Sequence, residues 1–243
     1  MKIIVDDFGI NNKANLTIIE AIKRKVIWGA SVMVAAPGTK GAADFIKTTK
    51  ARCKYGLHFN ITEGKPLLRP GLVSTLIDDS GNFLGWTKLI KADLKGKINS
   101  RDIEAELEAQ LKAFLAADKK ITFFNSHHHI HLWPRFAKII KPVIEEFNIK
   151  YVRCPKKICW GGLPRAHRIK AFVIQSIGKL KKYHKRSLST WMVDLDWAGT
   201  DDVARGKIFN NLPDDCELIC HPNEPSGSAD ISTLQWIINN KHD

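Results

Sequence analysis

Short apolar runs that end in acids or imidazoles recur along this chain, separated by stretches with helical periodicity. Ile3-Ile4-Val5 leads into Asp6-Asp7, and Lys54 to Phe59 carries His58 near its end. Ile121 to Phe124 leads into Ser126-His127-His128-His129-Ile130-His131, and Glu217 to Cys220 leads into His221-Pro222. Between them, helix patterns are expected over Lys13 to Val26 (Leu16, Ile19, Ile22 and Val26 as one stripe), Ala42 to Lys50, Arg101 to Ala117 (Ile103, Leu107, Leu111, Phe114 and Leu115), Pro134 to Phe147 and Arg165 to Leu180. Further strands are expected at Ser31 to Ala36 and Lys150 to Arg153. Strands that alternate with helices form parallel sheets, whose C-terminal strand ends gather on one rim. Residues distant in sequence then become neighbours.

The length of 243 residues and a hydrophobic fraction of 44% suit one barrel-sized domain spanning 1–243. Residues 60–99 break the rhythm with Gly64, Pro66, Pro70, Gly71, Gly81, Gly85 and Gly96. A stretch of this kind reads as a lid or binding insertion, or else as a disordered one. No apolar run approaches the roughly 20 residues of a membrane span, and the N-terminal apolar stretch is too short for a signal peptide. Cys53, Cys154, Cys159, Cys216 and Cys220 are odd in number and lack zinc-ribbon spacing, so reduced thiols and a cytoplasmic location are expected. The net charge of +13 would suit an anionic partner. However, the lysines are spread along the chain apart from Lys179 to Arg186, and no nucleic-acid-binding motif accompanies them. A Lys-rich surface without a nucleic-acid partner is the plainer reading.

Asp6, Asp7, His58, His127 and His221 all fall near predicted strand ends. Each alone is an ordinary cap, core or surface residue; five on four strand ends form a constellation. Two imidazoles and a carboxylate make a three-ligand metal site with open positions, and a second carboxylate can take a proton from water there. Adjacent strand residues point to opposite faces. Asp6 and Asp7 can therefore share a site only if the chain turns, for which Gly9 is suited. By the same parity His127, His129 and His131 share one face of an extended segment, and His128 is the least suited ligand.

The segments Asp6-Asp7-Phe8-Gly9, Gly56 to Leu67 (Gly-Leu-His-Phe-Asn-Ile-Thr-Glu-Gly-Lys-Pro-Leu), Ser126 to His131 and Cys220-His221-Pro222 resemble, in order and separation, the motifs of the YdjC/ChbG carbohydrate deacetylases. The resemblance implies an α/β fold, a distorted (β/α) barrel of the glycoside hydrolase/deacetylase type. It also implies metal-dependent removal of the acetyl group from an N-acetylated sugar, chitooligosaccharide-like or another N-acetylglucosamine conjugate. By position His58, His127 and Asp7 would hold a divalent ion, with Mg first and Zn, Co or Mn as alternatives. Asp6 would be the general base, by similarity to the Asp pair of NodB-type deacetylases, with the roles of the two acids exchangeable. His221 would protonate the leaving amine, and Arg153 would orient carboxylates or substrate. His129, His131 and Trp86 would face substrate or brace a ligand, and Trp86 and Trp197 would stack on sugar or pack in the core. A small-molecule or oligosaccharide substrate is the expected partner, with a homodimer as the assembly to test. Two departures stand out: Ile4-Val5 where the family usually has Asn-Ala, and Asn125 where it usually has Asp. Asn125 can accept a hydrogen bond from a ligand imidazole but brings no charge.

Two rival classes remain. Two His and one carboxylate also suit a non-haem iron oxygenase, although the His run lacks the usual His-x-Asp/Glu pair. A degenerate member could bind anionic glycan or nucleic acid through its basic surface, with affinity that falls steeply with salt.

Overall fold

The computed structural model describes residues 1–117, 120–159, 168, 172, 174–176, 186–199, 201–222 and 232–240. Most of the helix expected over Arg165 to Leu180, and all of the Lys179 to Arg186 cluster except Arg186, lie outside them.

Eight parallel strands form one curled sheet. They are β1 (Lys2–Phe8), β2 (Gly29–Val32), β3 (Lys54–Phe59), β4 (Phe123–Ser126), β5 (Tyr151–Val152), β6 (Lys157–Ile158), β7 (Trp191–Asp194) and β8 (Cys216–Cys220). Their order is β5-β4-β3-β2-β1-β8-β7-β6, so β1 sits centrally and the sheet remains an open half-barrel rather than a closed ring. Among the described residues the helices are α1 (Asn12–Lys23), α2 (Thr39–Thr48), α3 (Trp86–Leu94), α4 (Ser100–Ala117), α5 (Pro134–Glu146), α6 (Asp202–Phe209) and α7 (Ser232–Asn240).

Strand parity divides the sheet into two faces. Ile3 and Val5 of β1, Leu57 and Phe59 of β3 and Phe124 of β4 are fully or almost fully buried in the main core with Ile18, Leu107, Leu111, Phe136 and Ile140 of the helices. Ile4 of β1 and Phe123 of β4 form a separate buried cluster with Leu188, packed by Trp28 and Tyr151 on the inner side of the curl. Continuing that inner parity toward the C-terminal ends places Asp6, His58 and Asn125 above this floor. Gly56 is needed at the floor, because a Cβ there would lie 2.5 Å from the Phe123 ring.

Several boundaries differ from the sequence expectation for physical reasons. β1 extends beyond Val5 to Phe8, through the two acids. β4 begins at Phe123 rather than Ile121 and runs through Ser126. In α1 the expected Ile22, and Val26 beyond the helix end, are buried and Ile19 is half-buried, but Leu16 is 70% exposed and the stripe is completed by Ala14, Ile18 and Ala21. The phase is set by Asn15, which accepts from Gly9 N (2.8 Å) and donates to Gly38 O (2.8 Å), and so must face inward. In α4 the apolar stripe is buried as expected except for the exposed Leu115, and Asp102, Glu106 and Gln110 are buried beside it.

Those polar residues hold the 60–99 segment. The Glu106 carboxylate accepts from Leu67 N (2.9 Å) and Leu68 N (3.2 Å), and Asp102 accepts from Thr75 N (2.9 Å) and Oγ1 (2.8 Å). Asp93 of α3 accepts from Trp133 Nε1 (2.7 Å) and pairs with Arg135. Val73, Leu76 and Leu89 are fully buried in the main core. The segment is therefore ordered and fastened, not a disordered insertion. Among the described residues no helix is long and apolar enough to cross a membrane.

Candidate metal and acid–base site

The C-terminal rim collects the constellation. Asp6 faces inward by strand parity, and Asp7 ought then to face outward. It does not, because the turn occurs at Asp7 itself: its φ is 61°, and the β1–β2 register shifts between Val5 and Phe8. A left-handed conformation at a non-glycine residue is uncommon and costs of order 1–3 kcal/mol, and such residues cluster at functional sites. Gly9, at φ 106°, then completes the bend, and Met33 O would lie 2.5 Å from any Cβ there.

Three buried atoms converge. Asp7 Oδ1 lies 3.1 Å from His58 Nε2 and 3.2 Å from His127 Nδ1. The two nitrogens are 3.4 Å apart. The proton positions follow from the surroundings. An ionised Asp6 carboxylate only accepts, so the Asn125 amide nitrogen donates to Asp6 Oδ1 (3.0 Å), and its oxygen faces His58 Nδ1 at 2.7 Å. His58 therefore carries its proton on Nδ1 and aims a lone pair from Nε2 at Asp7. On the other side His127 Nε2 donates to Glu63 Oε2 (2.7 Å), which leaves Nδ1 as the nitrogen that can give up its proton to a cation. Asp7 Oδ1 is buried and accepts no well-formed hydrogen bond. Two imidazole nitrogens and an orphaned carboxylate oxygen fit a divalent cation: bonds of roughly 2.1 Å place ligand atoms about 3.0–3.4 Å apart. Asp7, His58 and His127 thus form a donor set suited to such an ion.

The charges agree with that reading. Burial by itself raises the Asp7 carboxyl, but His127 and His58 hold it well below the usual range. Burial lowers His127, yet the carboxylates of Asp7 and Glu63 push it up to about 9. A cation that takes His127 Nδ1 must therefore displace a proton.

The opposite wall is saturated with charge pairs. Arg153, fully buried at the end of β5, donates through Nη2 to Asp6 Oδ1 (2.9 Å), through Nη1 to Asp6 Oδ2 and through Nε to Glu217 Oε1 (2.6 Å). Ser31 of β2 donates to Asp6 Oδ1 at 2.6 Å. Burial opposes ionisation of Asp6, but Arg153, helped by His58 and His221, keeps it ionised far below the usual carboxylate range. His221 Nδ1 lies 2.9 Å from Asp196 Oδ2, which also accepts from His221 N (2.6 Å). His221 Nε2 points toward Asp6 Oδ2 at 3.6 Å. Burial lowers the imidazole, while Asp194 and Asp196 raise it well above its ordinary value. Burial, with repulsion from Asp194, pushes Asp196 up to about 6.

The histidine run is not extended. Residues 127–132 form tight 3₁₀ turns, with His128 and His129 at φ 54° and 53°. The expected sharing of one face by His127, His129 and His131 is thereby lost. His131 is fully buried, accepts from Ser126 Oγ (2.6 Å) and donates to Arg153 O (2.8 Å); it ties β4 to the end of β5 and cannot face substrate. Burial lowers its pKa to about 3. His128 is exposed, 2.9 Å from Thr62 Oγ1 through Nδ1, and its ring lies 4.1 Å from that of His127. His129 is half-buried. Trp197 is 3% exposed and packs in the core, whereas Trp86 is 54% exposed at the start of α3. Among the described residues Trp86 makes no hydrogen bond or ring contact with the constellation.

Sequence reasoning missed Ser31, Glu63, Asp194, Asp196 and Glu217. Signals for three of them were present. Asp194 closes an apolar run, Trp191-Met192-Val193, in the same way that Asp6 closes the first. Glu217 interrupts an apolar strand at an inward position. Glu63 lies inside the second motif.

A model of the YdjC-like protein family matches residues 2–241. The chain belongs to the YdjC-like family. Among its relatives, the carbohydrate deacetylase of Clostridium beijerinckii is 27% identical over 89% of this chain and 78% of that protein. The carbohydrate deacetylase of Brevibacillus brevis is 37% identical over 64% of this chain and 60% of its own length. The chitooligosaccharide deacetylase of Serratia marcescens is 32% identical over 58% of this chain, and the match spans about half of that enzyme, 53%. In fold, this YdjC-like chain is similar to a solved structure from Enterococcus faecalis V583 described as a cellobiose-phosphate cleavage protein. The TM-score is 0.77 at 18% identity, over 98% of this chain and 90% of the other.

Proposed function

We propose that this YdjC-like protein is a metal-dependent hydrolase that removes the acetyl group from an N-acetylated sugar. The observation that carries the reading is the orphaned Asp7 Oδ1 facing two imidazole nitrogens, beside a wall that holds an ionised Asp6 next to a charged His221. A divalent cation, Mg by likeness to the family, would be held by Asp7, His58 and His127 and would supply Lewis acidity, polarising the amide carbonyl and lowering the pKa of bound water. Asp6 accepts the proton of the attacking water. Because Arg153, Asn125 and Ser31 fix its carboxylate, its position is set before substrate arrives. The new C–O bond forms as the carbonyl π pair moves onto oxygen, and the amide C–N bond then breaks as His221 Nε2 delivers its proton to the leaving nitrogen. Asp194 and Asp196 keep His221 charged and oriented for that donation. The relatives named carbohydrate deacetylase and chitooligosaccharide deacetylase support the sugar substrate.

The same proposal takes the chain as one catalytic domain with residues 60–99 bordering the substrate. It places the protein in the cytoplasm, in keeping with five cysteines that form no disulfide. The test is acetate release from N-acetylglucosamine oligomers with added Mg, Zn or Co. Release that disappears in His127→Ala is expected; no acetate from any N-acetylated sugar by the cation-loaded protein would sink the reading.

A further inference from the structure

The two histidines that face Asp7 present different nitrogens, and each choice is made by whatever holds the other nitrogen. His58 is held by Asn125, which is fully buried. His127 is held by Glu63, whose side chain is 50% exposed, across 2.7 Å. An exposed glutamate on a loop ordinarily samples many rotamers and holds nothing reliably. Here its backbone is fixed. Asn60 Oδ1 accepts from Thr62 N (3.0 Å), Thr62 Oγ1 (3.2 Å) and Glu63 N (3.1 Å), and Asn60 Nδ2 donates to Glu63 O (2.7 Å). Asn60 is itself clamped by α4: its N donates to Gln110 Oε1 (3.1 Å), and Gln110 Nε2 donates to Asn60 O (2.6 Å) and Glu106 Oε1 (2.9 Å). Asn60, Gln110 and Glu106 are all essentially buried. A polar framework therefore runs from the core of α4 to the Glu63 carboxylate. Next to it, Thr62 meets His128, whose ring lies against His127. Two consecutive residues of one loop thus grip two consecutive histidines of another.

We propose that Glu63 is the positioning residue of the cation site. By accepting the Nε2 proton it leaves Nδ1 as the nitrogen that His127 presents to a cation beside Asp7 and His58, and the Asn60 turn holds it in place to do so. The inference rests on the cation reading above and adds to it a residue that does not touch the ion. Partners of this kind typically change metal affinity 10–100-fold when removed.

The test titrates Co(II) alone into the full chain after chelator treatment, following visible absorption, with circular dichroism as the check on folding. The expected order follows reach rather than charge. Glu63→Gln keeps an acceptor oxygen at the same distance and holds affinity within about threefold of the wild type. Glu63→Asp keeps the charge but is one methylene short, and it loses about 10–100-fold, as Glu63→Ala does. Nitrogen-15 NMR of the cation-free protein at alkaline pH, where a single proton remains on the ring, should find that proton on His127 Nε2 in the wild type and in Glu63→Gln, and a mixture of tautomers in Glu63→Ala. Equal Co(II) affinity in the wild type and Glu63→Ala overturns this inference alone, even if substrate KM rises. The reverse order, Asp retaining affinity and Gln losing it, overturns it too, because charge and not the fixed proton would then be at work. Absence of Co(II) binding in the wild type overturns the cation reading, and this inference with it.

Discussion

The two walls of the rim are built on opposite principles. On one, Asp7, His58 and His127 bring three potential ligand atoms together and leave a buried carboxylate oxygen without a hydrogen bond. On the other, Asp6, Arg153, Glu217, His221, Asp194 and Asp196 are paired charge to charge, Arg153 with Glu217 across 2.6 Å and His221 with Asp196 across 2.9 Å. The first wall is incomplete without a cation. The second is complete as it stands and holds protons at fixed addresses. Asn125 joins them, donating to Asp6 and accepting from His58. An unsatisfied buried polar atom costs stability, so its persistence on one wall marks where a ligand group belongs, while full pairing on the other marks a structural commitment.

The comparison predicts that the paired wall carries the fold. Arg153→Met should have the largest effect on stability, about 3–5 kcal/mol, because it strands Asp6 and Glu217 in the interior and a guanidinium's charge has no substitute there. Urea unfolding measures it; a loss under about 1 kcal/mol would show that the wall is not a structural unit. Asp7→Asn should cost much less, about 1–2 kcal/mol, since His127 can respond by losing a proton, which Arg153 cannot. Its effect belongs to the other observable: Co(II) affinity should fall at least 100-fold.

A finer test separates the walls by pH. His221 has a folded pKa raised well above 6.5. A group with a raised folded pKa contributes stability that is fully present below its unfolded value and is lost as pH rises through the folded one. Unfolding free energy should therefore decline through the alkaline range, and His221→Leu should flatten that decline. In catalysis the same proton is the one donated, so activity should fall on the alkaline side. Asp196→Asn removes the partner 2.9 Å from Nδ1 and should move that limb down by about one pH unit. An unmoved limb would detach His221 from the proton delivery.

How legible each wall was in the sequence follows from the same contrast. Asp7, His58 and His127 sit at the ends of β1, β3 and β4, where strand ends and local motifs point directly at them. The residues that complete the other wall left only faint signals, because their roles exist only through pairing. Glu217 reads as an oddity in an apolar strand until Arg153, 64 residues away, lies beside it. Asp194 and Asp196 read as caps until His221 arrives from the next strand. Backbone chirality was equally hidden. Alternation on β1 and in the histidine run assumes extended residues, whereas Asp7, His128 and His129 adopt positive φ. That one difference brings Asp7 into the site and dissolves the expected single face of His127, His129 and His131. Gly9 signalled a bend, but the decisive turn came two residues earlier.

The smallest predicted effect tests the joint between the walls. The family usually carries Asp where this chain has Asn125, so Asn125→Asp has the look of a repair. A carboxylate at 125 would hold His58 Nδ1 more strongly than an amide oxygen does, which favours the cation wall. On the other side, however, it would replace the amide that donates to Asp6 Oδ1 at 3.0 Å with a second anion. Arg153 already divides its charge between Asp6 and Glu217 and has little left for a third carboxylate. The two effects oppose each other on different measurements. Co(II) affinity should rise by a few-fold while folding stability at neutral pH falls by about 1–2 kcal/mol, and the loss should shrink as pH is lowered and the added carboxyl takes up a proton. A rise in both affinity and stability would mean that Asn125 does not link the walls. A change in neither would mean that His58 is held in place by Ser31, 3.2 Å from the same nitrogen, without need of residue 125.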